Sequence, residues 1–337
     1  MRLIQILTCS LSAVVMVTHS LFWFIPFYTF AILRLLIPIR ASRKFFARTL
    51  VWVGGRWMNT TRHVLRWIPR VQFDIKGLDS LTGTHSYLLL ANHQSWADTM
   101  ALAATVGPHV PLLRFFAKRQ LIWLPFFGLA FWALDYPFMR RHSREFIARH
   151  PEQRGRDLET TRRLCKKFRT TPVTIVNFAE GTRFTREKHE DQSSPYRHLL
   201  RPRAGGVAFA LEAMEGRMDR ILDVAIVYPP GAISFLGLFS GRMKKVVVDV
   251  RERKVPKVLL EGDYLGDLAH REMYQAWIRD LWKEKDDRID RIRVRDHGQS
   301  PLQAPILESG SPVPQVAAVL PQNRPDPPPK AAVSERT

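Results

Sequence analysis

The stretch "LLLANHQSWAD", residues 88–98, carries an apolar segment straight into His93 and places Asp98 five positions later. The run before the histidine is short, aliphatic and closed by polar residues, which is the pattern of a buried strand. His93 and Asp98 cannot share one face of a straight helix, because five steps of about 100° set them roughly 140° apart. They meet if His93 lies in the turn after the strand and Asp98 lies inside a helix that begins just after it. Ser95 then suits the N-cap, its hydroxyl accepting a free amide of the first turn. The carboxylate can fold back onto one imidazole nitrogen, which fixes the tautomer and leaves the other nitrogen facing a substrate. A structural His and Asp that only cap and brace the turn fit the same stretch.

Working outward, "VTIVNFAE" (173–180), "ILDVAIVYPP" (221–230) and "KKVVVDVRER" (244–253) are again short, aliphatic or β-branched, and end in turn or polar residues. Helical stretches are expected at 97–106, 157–169 and 204–214. This alternation of strand and helix argues for the α/β class, a sheet covered by helices, in which reactive groups collect where strands end. Residues 270–291 have helical periodicity, with Met273, Trp277, Leu281 and Trp282 as an apolar stripe among charges. From about Gly298 the composition turns to Pro, Ala, Gln and Ser, with too little apolar surface to offset the entropy of ordering, so a disordered tail is expected over 296–337.

The 337 residues carry a formal net charge of +20, so the partner should be anionic: nucleic acid, a membrane surface or a phosphorylated small molecule. No carboxylate occurs before Asp74, whereas Arg34, Arg40, Arg43, Lys44, Arg48 and Arg56 are all cationic. Residues 3–39 are dominated by Leu, Ile, Val, Phe and Trp, enough for one long tilted membrane helix or two shorter ones broken near His19, Ser20 or Pro26. A cleaved secretory signal is the competing reading, opposed by the length of the apolar run and by the cationic flank, which resists translocation. Residues 1–40 are therefore read as a retained anchor. "RKFFARTLVWVGGRWMNTTRHVLRW" (43–67) is read as an interfacial amphipathic segment within 41–72, with Trp52, Trp57 and Trp67 near headgroup level; packing of those tryptophans into a core is the alternative. Cys9 and Cys165 provide neither a disulfide framework nor a cysteine metal site.

A histidine backed by an aspartate is a general base without a nucleophile. No Gly-x-Ser-x-Gly turn is present, and Ser95, lying between the pair, is better explained as a cap. The nucleophile must then be a substrate hydroxyl. A second candidate site, "NFAEGTRF" (177–184), also follows an apolar strand. Gly181 permits a tight turn and close backbone approach, Thr182 can donate a hydrogen bond, and Arg183 can grip a phosphate in bidentate fashion. A plain Glu180–Arg183 salt bridge is the structural alternative.

Taken together these motifs resemble the glycerophospholipid acyltransferase family, whose members move an acyl chain from a thioester to glycerol phosphate or a lysophospholipid. "NHQSWAD" matches the family's first motif and "FAEGTR" its third, with Ala179 where Pro is usual. "FAKRQLIWLPFFGLAFWALDYPFMRR" (116–141) resembles the stretch from a lysine to the second motif, with Gln120 where Glu is commoner. "LLRPRAGGVAFAL" and "AIVYPP", with Pro229, resemble the later segments, and "WIRDLWKEKDDRID" the ending of members acting on lysophosphatidate, lysocardiolipin or lysophosphatidylinositol. The resemblance covers about residues 75–290 and implies an acyltransferase domain over 73–295: a mixed sheet covered by helices, of the glycerol-3-phosphate acyltransferase type, behind an N-terminal membrane-anchoring helix or helices.

The same resemblance implies that His93 is the base and Asp98 orients it, and that Glu180, Gly181, Thr182, Arg183 and Arg140 (or Arg141) hold the acceptor's phosphate. Lys118 would steady the developing oxyanion. No metal or bound cofactor is called for, acyl-CoA or acyl carrier protein being a co-substrate. The expected partners are a phospholipid membrane and a lysophospholipid, not nucleic acid, with the domain on the cytoplasmic side of a cell's inner membrane. The arginines at 140–144 suit either an acyl carrier or a solvated face. Two other classes remain: a lipid hydrolase, in which water replaces the acceptor, and a non-enzymatic basic protein of membrane or nucleic-acid surfaces.

Overall fold

The computed structural model describes residues 2–37, 39–115, 117–118, 122–123, 127–136, 138–139, 168, 171–229 and 235–297. The expected helix at 157–169, apart from Phe168, lies outside the described residues, as do Arg140, Arg141, Cys165, Gln120 and the tail from residue 298.

Eight strands are described: β1 (Gln72–Lys76), β2 (Tyr87–Ala91), β3 (Leu113–Phe115), β4 (Ala117–Lys118), β5 (Phe138–Met139), β6 (Thr174–Phe178), β7 (Arg220–Val227) and β8 (Lys245–Lys254). The described helices are α1 (Arg2–Leu36), α2 (Arg40–Trp67), α3 (Ala97–Thr105), α4 (Phe127–Ala133), α5 (Arg186–Asp191), α6 (Ala204–Ala213), α7 (Phe235–Phe239), α8 (Lys257–Leu260) and α9 (Leu268–His297). Six strands form one sheet in the order β1-β8-β7-β2-β6-β3, in which only the β7–β8 pairing is antiparallel. The fold is thus the mixed α/β sheet expected. β1 and β3 were not foreseen: "QFDIK" alternates in polarity at the sheet's edge, and β3 has only three residues, too short to stand out as a pattern. β4 and β5 pair separately, setting the backbone of Lys118 beside that of Met139, one residue before Arg140.

The two-residue period of the strands sorts their side chains into two cores. Leu89, Leu222, Val224, Ile226 and Val248 face α2 and α3, whereas Leu88, Leu90, Ile221, Ala225 and Val247 face α6 and α9. β2 lies between β6 and β7 and is buried throughout, which explains its unbroken apolar sequence.

α1 runs unbroken through His19, Ser20 and Pro26, so the two-helix alternative does not apply. It is long and apolar enough to cross a membrane, and its most apolar window is 6% buried. Arg34, the cation within the apolar run, is explained by its partners: it donates to the carbonyl of Ala133 at 2.7 Å and pairs with Asp135 at 3.3 Å. α2 is amphipathic, but its apolar face is occupied. Leu50, Val53, Met58 and Leu65 are buried in the same core as Leu89 and Val224, each such burial being worth about 1.5–3 kcal/mol. Trp52 and Trp67 are exposed, while Trp57 packs on the core and donates to Ser20 at 3.4 Å. On α9 the buried stripe is Tyr274, Ile278, Leu281, Trp282, Ile289 and Ile292; Leu281 and Trp282 are buried as expected and Trp277 packs partly against this core, whereas Met273 is 40% exposed and lies off it.

Candidate active site

The register of two neighbouring strands builds the site. Ala91 at the end of β2 lies opposite Phe178 at the end of β6, and the strands are parallel, so the segments after them leave the same sheet edge side by side. These segments carry His93 and the turn 179–183. Phe184 N–H donates to the carbonyl of His93 at 2.7 Å, which ties the two together directly. β7 ends at the same edge, and its next residue, Tyr228, is fully buried there.

Asp98 is the second residue of α3, as the spacing predicted, and its side chain is 0% exposed. One carboxylate oxygen accepts from the amides of Gln94 (2.6 Å) and Ser95 (2.9 Å) and lies 2.7 Å from His93 Nδ1; the other accepts from the Tyr228 hydroxyl at 2.5 Å. A buried carboxylate is costly unless its lone pairs are satisfied, and here four donors satisfy them. Trp96, not Ser95, immediately precedes α3, but the Ser95 hydroxyl accepts from the amide of Ala97, the first residue of the helix, at 3.2 Å, as expected of it.

With Nδ1 donating to Asp98, the lone pair of the neutral imidazole is on Nε2. Among the described residues nothing bonds to Nε2, and the ring keeps 18% exposure. The imidazole stacks on Phe178, centroids 4.1 Å apart and planes 16° from parallel. Asn92 anchors the backbone beneath it: its side chain donates to the Ile226 carbonyl (2.9 Å) and accepts from the Ile226 amide (2.8 Å), extending the β2–β7 ladder by one rung.

The turn after β6 is closed by Gly181 N–H donating to the Phe178 carbonyl at 2.9 Å, and Gly181 has φ of +72°, a conformation strained for any residue with a Cβ. A Cβ there would also meet the Arg203 side chain at 3.3 Å. Glu180 is placed otherwise than a phosphate ligand requires. It is buried, and its two oxygens accept from the amides of His93 (3.1 Å) and Leu200 (3.3 Å). It is a brace between the two motifs, and the structural alternative, a salt bridge to Arg183, is not formed. Arg183 lies over the Trp96 ring instead, 5.3 Å from its centroid. Lys188 of α5 donates to the Thr182 hydroxyl (2.9 Å) and to the Arg183 carbonyl (3.2 Å). No carboxylate among the described residues forms an ion pair with Arg183, Lys188 or Arg203. Three cations therefore surround one glycine turn next to the imidazole, and such an arrangement can hold an anion.

Burial pushes the Glu180 carboxyl up, to about 8, against the two amides and the charge of Lys285, which pull it down. The folded value lies above the ordinary 4.5, so the folded chain keeps this proton where the unfolded chain has released it. The group's contribution to stability is full below 4.5 and is lost as pH rises through about 8. Glu180→Gln, which is neutral at every pH, is expected to gain on the parent as pH rises across that window. Chemical denaturation in detergent at both ends of it checks this; a constant difference between the two proteins would contradict it.

Sequence reasoning placed His93, Asp98, Gly181, Thr182 and Arg183 at this edge, and the fold brings them together. Lys118 is described only by its backbone, and Arg140 lies outside the described residues. Tyr228, Asn92 and Lys188 were missed as site residues. Tyr228 and Asn92 sit within motifs already quoted, beside residues of plainer chemistry, and nothing in one sequence marks Lys188 apart from other surface lysines.

Residues 72–229 match the family model Acyltransferase. The chain is 25% identical over 232 residues to 1-acyl-sn-glycerol-3-phosphate acyltransferase 3 of Arabidopsis thaliana, covering 64% of this chain and 56% of that one. It is 22% identical over 263 residues to lysocardiolipin acyltransferase 1 of Danio rerio, covering 72% and 62%. The chain thus spans less than two thirds of the length of these relatives. In fold it resembles the 1-acyl-sn-glycerophosphate acyltransferase PlsC of Thermotoga maritima, with a TM-score of 0.50 at 16% identity over 83% of this chain and 98% of that one. Residues 72–229 thus form a domain of the Acyltransferase family, and the chain's motifs and relatives are similar to those of glycerophospholipid acyltransferases.

Proposed function

We propose that this chain is a membrane-anchored acyltransferase that moves a fatty acyl group from a thioester, acyl-CoA or acyl carrier protein, to the free hydroxyl of a lysophospholipid. The acceptor it fits best is 1-acylglycerol-3-phosphate, giving phosphatidic acid. The observation that carries this reading is the bond from Phe184 N–H to the His93 carbonyl, which sets a base with an open Nε2 against a turn ringed by Arg183, Lys188 and Arg203.

In this mechanism His93 Nε2 takes the proton of the acceptor hydroxyl as its oxygen bonds to the thioester carbonyl carbon. Asp98 stabilises the imidazolium that forms. The tetrahedral intermediate collapses with loss of the thiolate, which recovers the proton from His93. Gly181, Thr182 and Arg183, joined by Lys188 and Arg203, hold the acceptor's phosphate, so that its hydroxyl is presented to the base rather than diffusing past. Glu180 braces this turn against His93. Arg140 as a further phosphate ligand and Lys118 as the oxyanion's partner rest on the family resemblance.

Membrane anchoring by residues 1–40 is supported by the length and exposure of α1. The cation-rich flank without carboxylates favours a cytoplasmic domain at the inner membrane, where anionic headgroups attract it. The division into anchor (1–40), amphipathic segment (41–72), acyltransferase domain (73–295) and tail (296–337) belongs to the same proposal. The lysocardiolipin relative favours a second reading, transfer to another lysophospholipid in remodelling.

The test uses the full chain in phospholipid vesicles, with labelled acyl-CoA or acyl carrier protein and a panel of lysophosphatidate, lysophosphatidylinositol and lysocardiolipin. Diacylated product with the highest kcat/KM for lysophosphatidate is expected. A preference for a diester acceptor would establish the second reading, and release of free fatty acid alone would make the protein a hydrolase.

A further inference from the structure

Behind the catalytic strand lies a buried cation that the reaction as written does not use. Lys285 of α9 is 0% exposed. Its ammonium donates to the Leu90 carbonyl of β2 at 2.8 Å, lies 3.1 Å from Asp223 of β7, and sits 4.0 Å from the centroid of the Trp282 ring. Leu90 and Asp223 are register partners across the β2–β7 pair, so the lysine joins one rung of the sheet from its outer face. The next clamp along β2 is Asn92 on Ile226, and the residue after it is His93.

An ammonium buried in an apolar layer carries a heavy desolvation cost unless every proton is used. Burial pushes Lys285 down to about 8, while Asp223 and Glu180 both act to raise it. Lys285 in turn pulls Glu180 toward its ionised form, the form in which both oxygens accept fully. The same lysine acts on His93 through β2, which runs on into the Asn92 clamp and then His93.

We propose that Lys285 is a positioning residue for the imidazole: reaching in from α9, outside the 72–229 segment that matches the family model, it locks Leu90 to Asp223 and so fixes where His93 stands relative to the anion-holding turn. The kinetic part of this inference rests on the proposed acyl transfer; the structural part does not.

The experiment compares the full-length parent with Lys285→Met, which keeps the apolar stem and leaves Asp223 paired with Arg288 at 3.0 Å. A second variant, Lys285→Met with Asp223→Asn, removes both charges together, so that no unpaired carboxylate confounds folding. Steady-state kinetics with lysophosphatidate are read beside hydrogen–deuterium exchange of the peptide containing His93. Both variants are expected to lose about tenfold or more in kcat while KM for the acceptor stays within about threefold, since displacement of a base by a fraction of an ångström slows chemistry without touching the phosphate grip. Exchange should quicken in that peptide and not in β8. Parental kcat with parental exchange would overturn the inference, as would a rise in KM alone or a uniform acceleration across the sheet. If the parent itself transfers no acyl chain, the proposed function falls, and the exchange pattern still decides whether Lys285 fixes the His93 amide.

Discussion

Replacing His93 with alanine is expected to lower kcat for acyl transfer by about 10²- to 10⁴-fold, the range that a positioned general base supplies. The acceptor hydroxyl is a weak nucleophile at neutral pH, and among the described residues no other imidazole stands at this edge with an open nitrogen. The fold should survive, because the ring lies partly exposed on Phe178 and its removal leaves no large buried void. KM for the acceptor should change little if, as proposed, the phosphate is held by Arg183, Lys188 and Arg203. Whatever rate remains measures how much the held geometry contributes without the base. Equal activity from parent and His93→Ala, with diacylated product from both, would remove the imidazole from the mechanism.

Asp98→Asn is expected to cost about as much, 10²- to 10⁴-fold, for a different reason. Asparagine can keep one oxygen toward the amides of Gln94 and Ser95 and offer its amide to the Tyr228 hydroxyl, which can turn to accept, so the loop should stay folded. The charge that stabilises an imidazolium is gone. The signature is a fall in kcat with a thermal unfolding midpoint close to the parent's. Asp98→Ala should instead destabilise the protein as well, because two backbone amides and a buried hydroxyl lose their acceptor at about 1–3 kcal/mol each. Tyr228→Phe, which removes one of four donors, should show a small fraction of either effect. An Asp98→Asn protein with parental kcat would mean that the carboxylate only braces the turn.

The strands that build the site were legible because β2 is buried on both faces and unbroken in hydrophobicity, and β6 and β7 are largely buried and aliphatic. The His93–Asp98 partnership could be argued from spacing alone. What escaped was everything set by pairing across long sequence separations. That Ala91 lies opposite Phe178 is a property of register, and nothing in either segment states it. Glu180 was read as a surface ligand beside Arg183; only the tertiary fold turns it inward onto the amides of His93 and Leu200. Ser95 takes the first-turn amide of Ala97 that local rules assign to it, and what local rules did not show is the buried carboxylate three residues on that accepts the amides of Gln94 and Ser95. Of the stripe read near the C-terminus, Leu281 and Trp282 are buried and Met273 is not, while Lys285, polar in sequence, belongs to the face packed on the sheet.

The most direct test of the central claim is a structure of the full chain with lysophosphatidate bound. The account predicts the free hydroxyl oxygen within about 2.6–3.2 Å of His93 Nε2 and the phosphate on Arg183, beside the Gly181 turn. A phosphate seated elsewhere, with the hydroxyl beyond hydrogen-bonding reach of that nitrogen, would contradict it.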